Sequence, residues 1–255
     1  MREEEAMPYL ESLLKGNPFA GDDGAIDPSL VRAFEAPELM RTESVVEAFE
    51  QARVLVGAVP HPHPGRTPDG SVAEHEIAPE PLAQPDGLIR VNFAPERQAY
   101  AVFSGVDAYN FFTKKYDISA RVRPMPVRAV DAARLAITHG DGLLVLDPST
   151  ANQCWIGRSA CAALAAGESW VAPWDDDALA EHIMAALPSY LEGFDHVAVD
   201  PGENGAAFLT IHMLAGLAQD RVHAIVDAVT EVVASEPYVR ARLDVVELRP
   251  FWSAD

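Results

Sequence analysis

The run Val54-Leu55-Val56-Gly57-Ala58-Val59 constrains this chain more than any other stretch. A half-exposed strand alternates apolar and polar residues. This one is apolar at successive positions, as a strand must be when it is central in a sheet or covered on both faces. Val45, Val46, Phe49 and Ala52 lead into it with helical spacing, and Ser44-Val45-Val46-Glu47 has the form of a capping box. The run at 143–147, ending Leu143-Leu144-Val145-Leu146-Asp147-Pro148, repeats the pattern further on. Strands of this kind fed by helices predict an α+β protein with a well-covered mixed sheet.

Between those landmarks the chain punctuates itself. Residues 60–88 hold seven of the 20 prolines and read as an exposed loop, with a short strand at 71–77. Ile89, Val91 and Phe93 alternate with polar residues, and a turn at 95–97 joins them to a second alternating run at 98–104, a β-hairpin. Ser104 with Asp107 predicts a cap for a helix over 105–115, and a further helix over 129–138 closes at Gly140. Gln153–Ile156 pairs back on 143–147, and Ser159 caps a helix that stops at Gly167.

Composition divides the chain. Its net charge is −20; residues 1–173 carry 24 acidic and 15 basic groups, and 174–255 carry 15 and 4, so the second part holds −11 in less than half the length. The expected division is an acidic tail over 1–16, a domain over 17–173 and a smaller one over 174–255. In the latter, Asp175-Asp176-Asp177 sits where a helix over 178–190 favours negative charge. Strands at 195–200 and 206–213 flank the turn Pro201-Gly202-Glu203-Asn204-Gly205, and a helix at 219–235 precedes a strand at 243–249. With Ser169–Val171 as an opening strand, the order is βαββαβ, the ferredoxin-like arrangement.

The same composition bounds function. A strongly acidic chain does not attract phosphates, so nucleic acid is not an expected partner. No apolar run reaches the roughly 18 to 20 residues that span a bilayer, and no membrane partner is expected. Met1-Arg2-Glu3-Glu4-Glu5 lacks the basic and apolar regions of a signal peptide, and Cys154 and Cys161 are too few for a disulfide scaffold. The expected compartment is the cytoplasm.

Asn17-Pro18-Phe19, the helix leading into 53–59, the hairpin ending Tyr100-Ala101-Val102-Phe103-Ser104-Gly105-Val106-Asp107-Ala108, and Leu144-Val145-Leu146-Asp147-Pro148 stand in a family order. The chain resembles the SseB family, named for enhanced serine sensitivity. The likeness is to an SseB N-terminal domain over about 17–173 and an SseB C-terminal domain over about 174–255. It implies no catalytic residue and no cofactor.

Candidate chemistry is sparse. His61, His63 and His75 lie near carboxylates, but prolines at 60, 62 and 64 hold the first two apart, so no metal is expected. Gly157-Arg158-Ser159-Ala160-Cys161 has the outline of a nucleophile elbow with cysteine in place of the last glycine; Ser159 reads better as a helix cap. Asp22, Asp23 and Asp27 miss the calcium-loop spacing, and neither a Walker A pattern nor GxGxxG occurs.

One feature opposes the global charge. Lys114, Lys115, Arg121, Arg123, Arg128 and Arg134 place six of 19 basic residues in a short span that holds only Asp117 and Asp131 as acids, next to Tyr109, Phe111, Phe112 and Tyr116. Such an island fits an acidic partner, or the acidic second part of the same chain. The expected role is a noncatalytic interaction or regulatory module whose partner is an acidic protein, with self-association also open. The alternatives are a metal-dependent or hydrolytic enzyme using the histidine segment or Ser159, and a small-molecule sensor.

Overall fold

The computed structural model describes residues 19, 21–59, 87–95 and 97–253. The expected tail over 1–16, the strand at 71–77 and the histidines His61, His63 and His75 lie outside the described residues.

The chain opens with helices α1 (Pro28–Glu35) and α2 (Glu38–Phe49), followed by β1 (Arg53–Ala58), β2 (Arg90–Ala94), β3 (Arg97–Phe103), α3 (Val106–Lys115), β4 (Arg123–Arg128) and α4 (Ala129–His139). Then come β5 (Leu144–Leu146), β6 (Cys154–Ile156) and α5 (Arg158–Ala166). The strands form a six-stranded mixed sheet in the order β4-β1-β3-β5-β6, with β2 paired to the first half of β3. β3 and β5 run parallel and the other pairs antiparallel.

The apolar run of β1 is explained by this sheet. Val54 and Val56 face one core with Val102, Leu144 and Leu146, beneath Leu30, Val45, Phe49 and Ala133. Leu55 faces the other with Ala101, Phe103 and Val145, under Tyr109 and Phe112 of α3. Both faces are covered, so neither parity can be polar.

Three serines expected to cap helices do something else. Ser44 lies inside α2, which starts from Pro37; the fixed φ of proline suits a helix start. Ser104 precedes the true cap, Gly105, and its side chain turns to Asp147. Ser159 sits one residue inside α5, after the cap Gly157. Distant groups accept from the first amides of these two later helices instead: Gly24 O accepts from Val106 N at 2.8 Å, and Asp244 Oδ2 accepts from Arg158 N at 3.0 Å. A side chain at Gly105 would meet Gly24 O at 3.0 Å and Ile26 N at 3.1 Å, so only glycine admits this approach. The aspartates of the entry segment shape turns, with Asp22 Oδ1 accepting from Gly24 N and Asp23 Oδ1 from Ala25 N, both at 2.9 Å.

Strand β4 has no counterpart in the sequence reading. Pro124 and Pro126 hide it, but it is an outermost strand. Ala129 N points inward to Ala52 O, so strand alternation turns the two proline positions outward, where no N–H is needed.

The second part comprises α6 (Asp177–Ala186), β7 (Phe194–Pro201), β8 (Ala207–Leu214), α7 (Gln219–Ser235), α8 (Pro237–Arg242) and β9 (Val246–Ser253). Asp176 caps α6 through a bond from Ala178 N, as the acidic cluster suggests. β7 and β8 form an antiparallel hairpin, and β8 and β9 run parallel as direct neighbours. The α+β class therefore stands, but the ferredoxin-like order does not. Residues 169–171 form no strand, and β9 occupies the place beside β8 that an opening strand would take. Trp170 packs instead edge-on to Trp174 and donates its Nε1–H to Ser159 Oγ.

The core of this part lies between one sheet face and the helices, with Val197, Leu209, Ile211 and Met213 against Leu179, Ile183, Ile225, Val229 and Val239. It joins the first part along a seam at β6. Asp244 pairs with Arg97, Trp174 Nε1 donates to Glu43 at 2.7 Å, and Val245 enters the core beneath α3. Gly205, at φ +88°, lies where any side chain would strike the Trp155 backbone.

Candidate interaction surface

Helix α3 sits on the first sheet because Tyr109, Phe112 and Thr113 recur at helical spacing and are buried. Phe103 meets Tyr109 edge-on and Phe112 at a tilt, both at 5.5 Å between centroids. The phase that buries those rings turns Phe111 outward, and Tyr116 leans on Phe112 at 4.6 Å; the two stay 51% and 50% exposed. Asp117 ends the helix in the left-handed region (φ +53°), with Ile118 N bonded to Thr113 O.

Lys114 and Lys115 occupy the last turn of α3, where the helix dipole favours cations. Lys115 Nζ stands 6.0 Å from the Phe111 ring and 5.6 Å from that of Tyr116. Arg121 and Arg123 follow on the loop and at the start of β4; Arg123 donates to the carbonyls of Ser119 and Val122. Among the described residues none of these four cations pairs with a carboxylate.

The other two members of the island differ. Arg128 and Arg134 both bind Asp131, at 2.7 Å and 3.0 Å, and Arg134 also donates to Ala165 O. The Asp131 carboxylate raises the pKa of Arg128 above its usual value. β4 separates the two groups: Lys114, Lys115, Arg121 and Arg123 lie from the end of α3 to the start of the strand, and Arg128 and Arg134, sharing the Asp131 carboxylate, lie beyond its far end.

Among the described residues, the acidic second part does not answer these charges. It docks at β6, and β4 is the opposite edge of the sheet. The cations it engages are Arg97 and, through the backbone, Arg158.

The remaining candidates are occupied. Ser159 Oγ accepts from Trp170 Nε1 at 3.1 Å and donates to Arg242 O at 3.5 Å, so its hydroxyl belongs to the seam. Burial pushes the Cys154 thiol up to about 12 and the Cys161 thiol higher still, the opposite of an activated nucleophile. A cleft of about 690 Å³ lies between the β2–β3 hairpin and the end of α4, but its charged groups are engaged: Arg97 with Asp244, Arg90 with Tyr100 Oη, and Asp141 with Gln98 N.

One buried carboxylate ties two strands of the first sheet together. Asp147 follows β5 with φ +46° and accepts from Ser104 N at 2.7 Å and Ser104 Oγ at 2.5 Å, tying the ends of the parallel strands together. Burial raises its pKa despite those bonds. The Asp-Pro pair after an apolar run was the only sequence signal. It marks a turn and says nothing of a carboxylate facing inward.

The family model for the SseB protein N-terminal domain matches residues 29–163, just over half of the chain, from α1 into α5. The chain belongs to the SseB family. No curated protein and no solved structure matches this SseB protein. The matched span contains the whole of the first sheet and all six residues of the basic island; the second sheet lies beyond it. Among the described residues, no helix of the SseB chain is long and apolar enough to cross a membrane.

Proposed function

We propose that this SseB protein is a noncatalytic interaction module that holds an acidic protein partner on the surface formed by Phe111, Lys114, Lys115, Tyr116, Arg121 and Arg123. The observation that carries this reading is the set of four cations without carboxylate partners, beside two half-exposed aromatic rings, in a chain of net charge −20. Four cations gathered on one rim, with aromatic area to desolvate a partner, have the composition of an interface centre. Attraction of opposite patches speeds encounter and fixes orientation, and the surrounding negative charge rejects acidic partners that approach elsewhere.

The test is capture from native lysate by the parent and by Lys114→Glu/Lys115→Glu/Arg121→Glu/Arg123→Glu, with captured proteins identified by mass spectrometry. The expected result is an acidic protein retained by the parent and lost from the variant. Identical recovery by both would show that the charges are only a solvated rim.

A further inference from the structure

The helices of the second part cover one face of its sheet, and the opposite face carries a pair of histidines, His196 exposed and His212 half-buried, which the interaction surface does not use. β7 and β8 are antiparallel, and their register sets His196 directly opposite His212. The two imidazoles stack with centroids 4.0 Å apart and planes 12° apart. Phe251 of β9 backs the second ring at 4.9 Å.

The register shifts between Phe194 and His196, so Asp195 is the extra residue of a β-bulge. Strand alternation alone would send Asp195 to the opposite face from His196. The bulge re-aims it, and its Oδ2 lies 3.0 Å from His196 Nδ1. A carboxylate on Nδ1 selects the tautomer with the proton there, which leaves the Nε2 lone pair for a ligand; metal-binding histidines are held this way.

We propose that His196 and His212 form a two-imidazole site for a borderline divalent transition ion, with zinc as the type case. Opposed residues on an antiparallel pair have Cβ atoms about 4.5–5.5 Å apart, within the span of a two-histidine chelate. Two nitrogens at about 2.0–2.1 Å from a tetrahedral ion stand about 3.4 Å from one another, so on binding the two rings turn out of their parallel stack until both in-plane lone pairs converge on the ion. Imidazole donors favour zinc, nickel and copper over magnesium and calcium. The strongly acidic second part concentrates cations near the face.

Among the described residues no group of three or more His, Cys, Asp or Glu is arranged to hold a metal ion. The pair is therefore an open site, with water completing the coordination. Asp195 acts through His196 as a positioning residue.

The test is calorimetric titration of Zn²⁺ into protein without an affinity tag, in an H61A/H63A/H75A background that removes the other concentrated histidines. One equivalent is expected. H196A and H212F should each weaken binding at least tenfold, the latter while keeping a ring in the stack. D195N should cost about tenfold, the scale of lost outer-shell support. Zn²⁺ should raise the melting temperature of the background protein and not of the two histidine variants, since an ion bound only by the folded state stabilises it. Absence of binding in the background protein would overturn the proposal, as would equal isotherms for the background and either histidine variant. If the histidine variants have shifted melting temperatures without zinc, H212N supplies the comparison, and retained binding by that variant likewise overturns it.

Discussion

The two sheets of this protein are covered differently. The first is buried on both faces, so β1 and β5 are apolar at every central position. The second has its helices on one face, and from Leu209 on β8 alternates buried Leu209, Ile211 and Met213 with half-exposed Thr210 and His212. Full coverage pushes recognition in the first sheet to its rim, where the C-terminal end of α3 and the edge strand β4 present cations. Half coverage leaves the second sheet a face of its own, and the titratable pair His196 and His212 stands on it. A strand's sequence pattern thus indicates where each region can meet other molecules.

The largest effect that separates the two should come from matched aromatic truncations. Phe103→Ala removes a ring that is fully buried between the sheet and α3; loss of about 3–5 kcal/mol is expected in urea unfolding. Phe251→Ala removes a ring from the face opposite the helices and should cost no more than about 1 kcal/mol. A comparable loss at Phe251 would mean that the second sheet's outer face is covered, and the comparison would fail.

The seam between the parts comes next. Asp244, with only 7% of its side chain exposed, answers both Arg97 and the first amide of α5. Asp244→Ala leaves a partly buried guanidinium and a helix terminus without their acceptor and should cost about 2–4 kcal/mol. Asp244→Asn keeps an acceptor for the Arg158 amide and should recover part of that loss. If both variants match the parent in urea, Asp244 adds nothing to the seam, and the Trp174–Glu43 and Ser159–Arg242 bonds with the packing at Trp155 and Val245 hold the two parts.

Asp147 gives a smaller effect with a pH signature. Asp147→Ala strands two buried Ser104 donors and should cost about 2–3 kcal/mol. Asp147→Asn tolerates the left-handed backbone and still accepts from Ser104 N, so it should stay within about 1 kcal/mol. The folded carboxyl has a pKa above the ordinary 3.8 and holds its proton more tightly than the unfolded chain does. Its contribution is complete below 3.8 and declines as pH rises through the raised value. Parent stability relative to Asp147→Asn should therefore fall over that interval; a rise would reverse the assigned sign.

Much of the fold was legible because local chemistry and tertiary context agree. The apolar runs at β1 and β5, the alternation of the β2–β3 hairpin and the 219–235 helix all appear where their patterns place them. What was not legible depends on distant parts of the chain. Ser44, Ser104 and Ser159 look like caps, yet Pro37, Gly24 and Asp244 do that work or make it unnecessary. Pro124 and Pro126 disguise β4, because a sequence does not say which side of a strand faces solvent. Trp170 is drawn into the seam by Ser159 and Trp174, and the strand expected at 169–171 is lost with it. For the surface, the six basic residues were visible as a cluster, but Asp131 divides them into four without a carboxylate partner and two that share one.

The most direct test of the central claim is the affinity of the captured partner for purified parent and for the fourfold Lys114/Lys115/Arg121/Arg123 charge reversal, measured by calorimetry at two salt concentrations. The predicted result is parent binding that weakens with salt, a variant at least about a hundredfold weaker, and melting temperatures that agree, since exposed charges contribute little to stability. Equal affinity of parent and variant, insensitive to salt, would contradict the account.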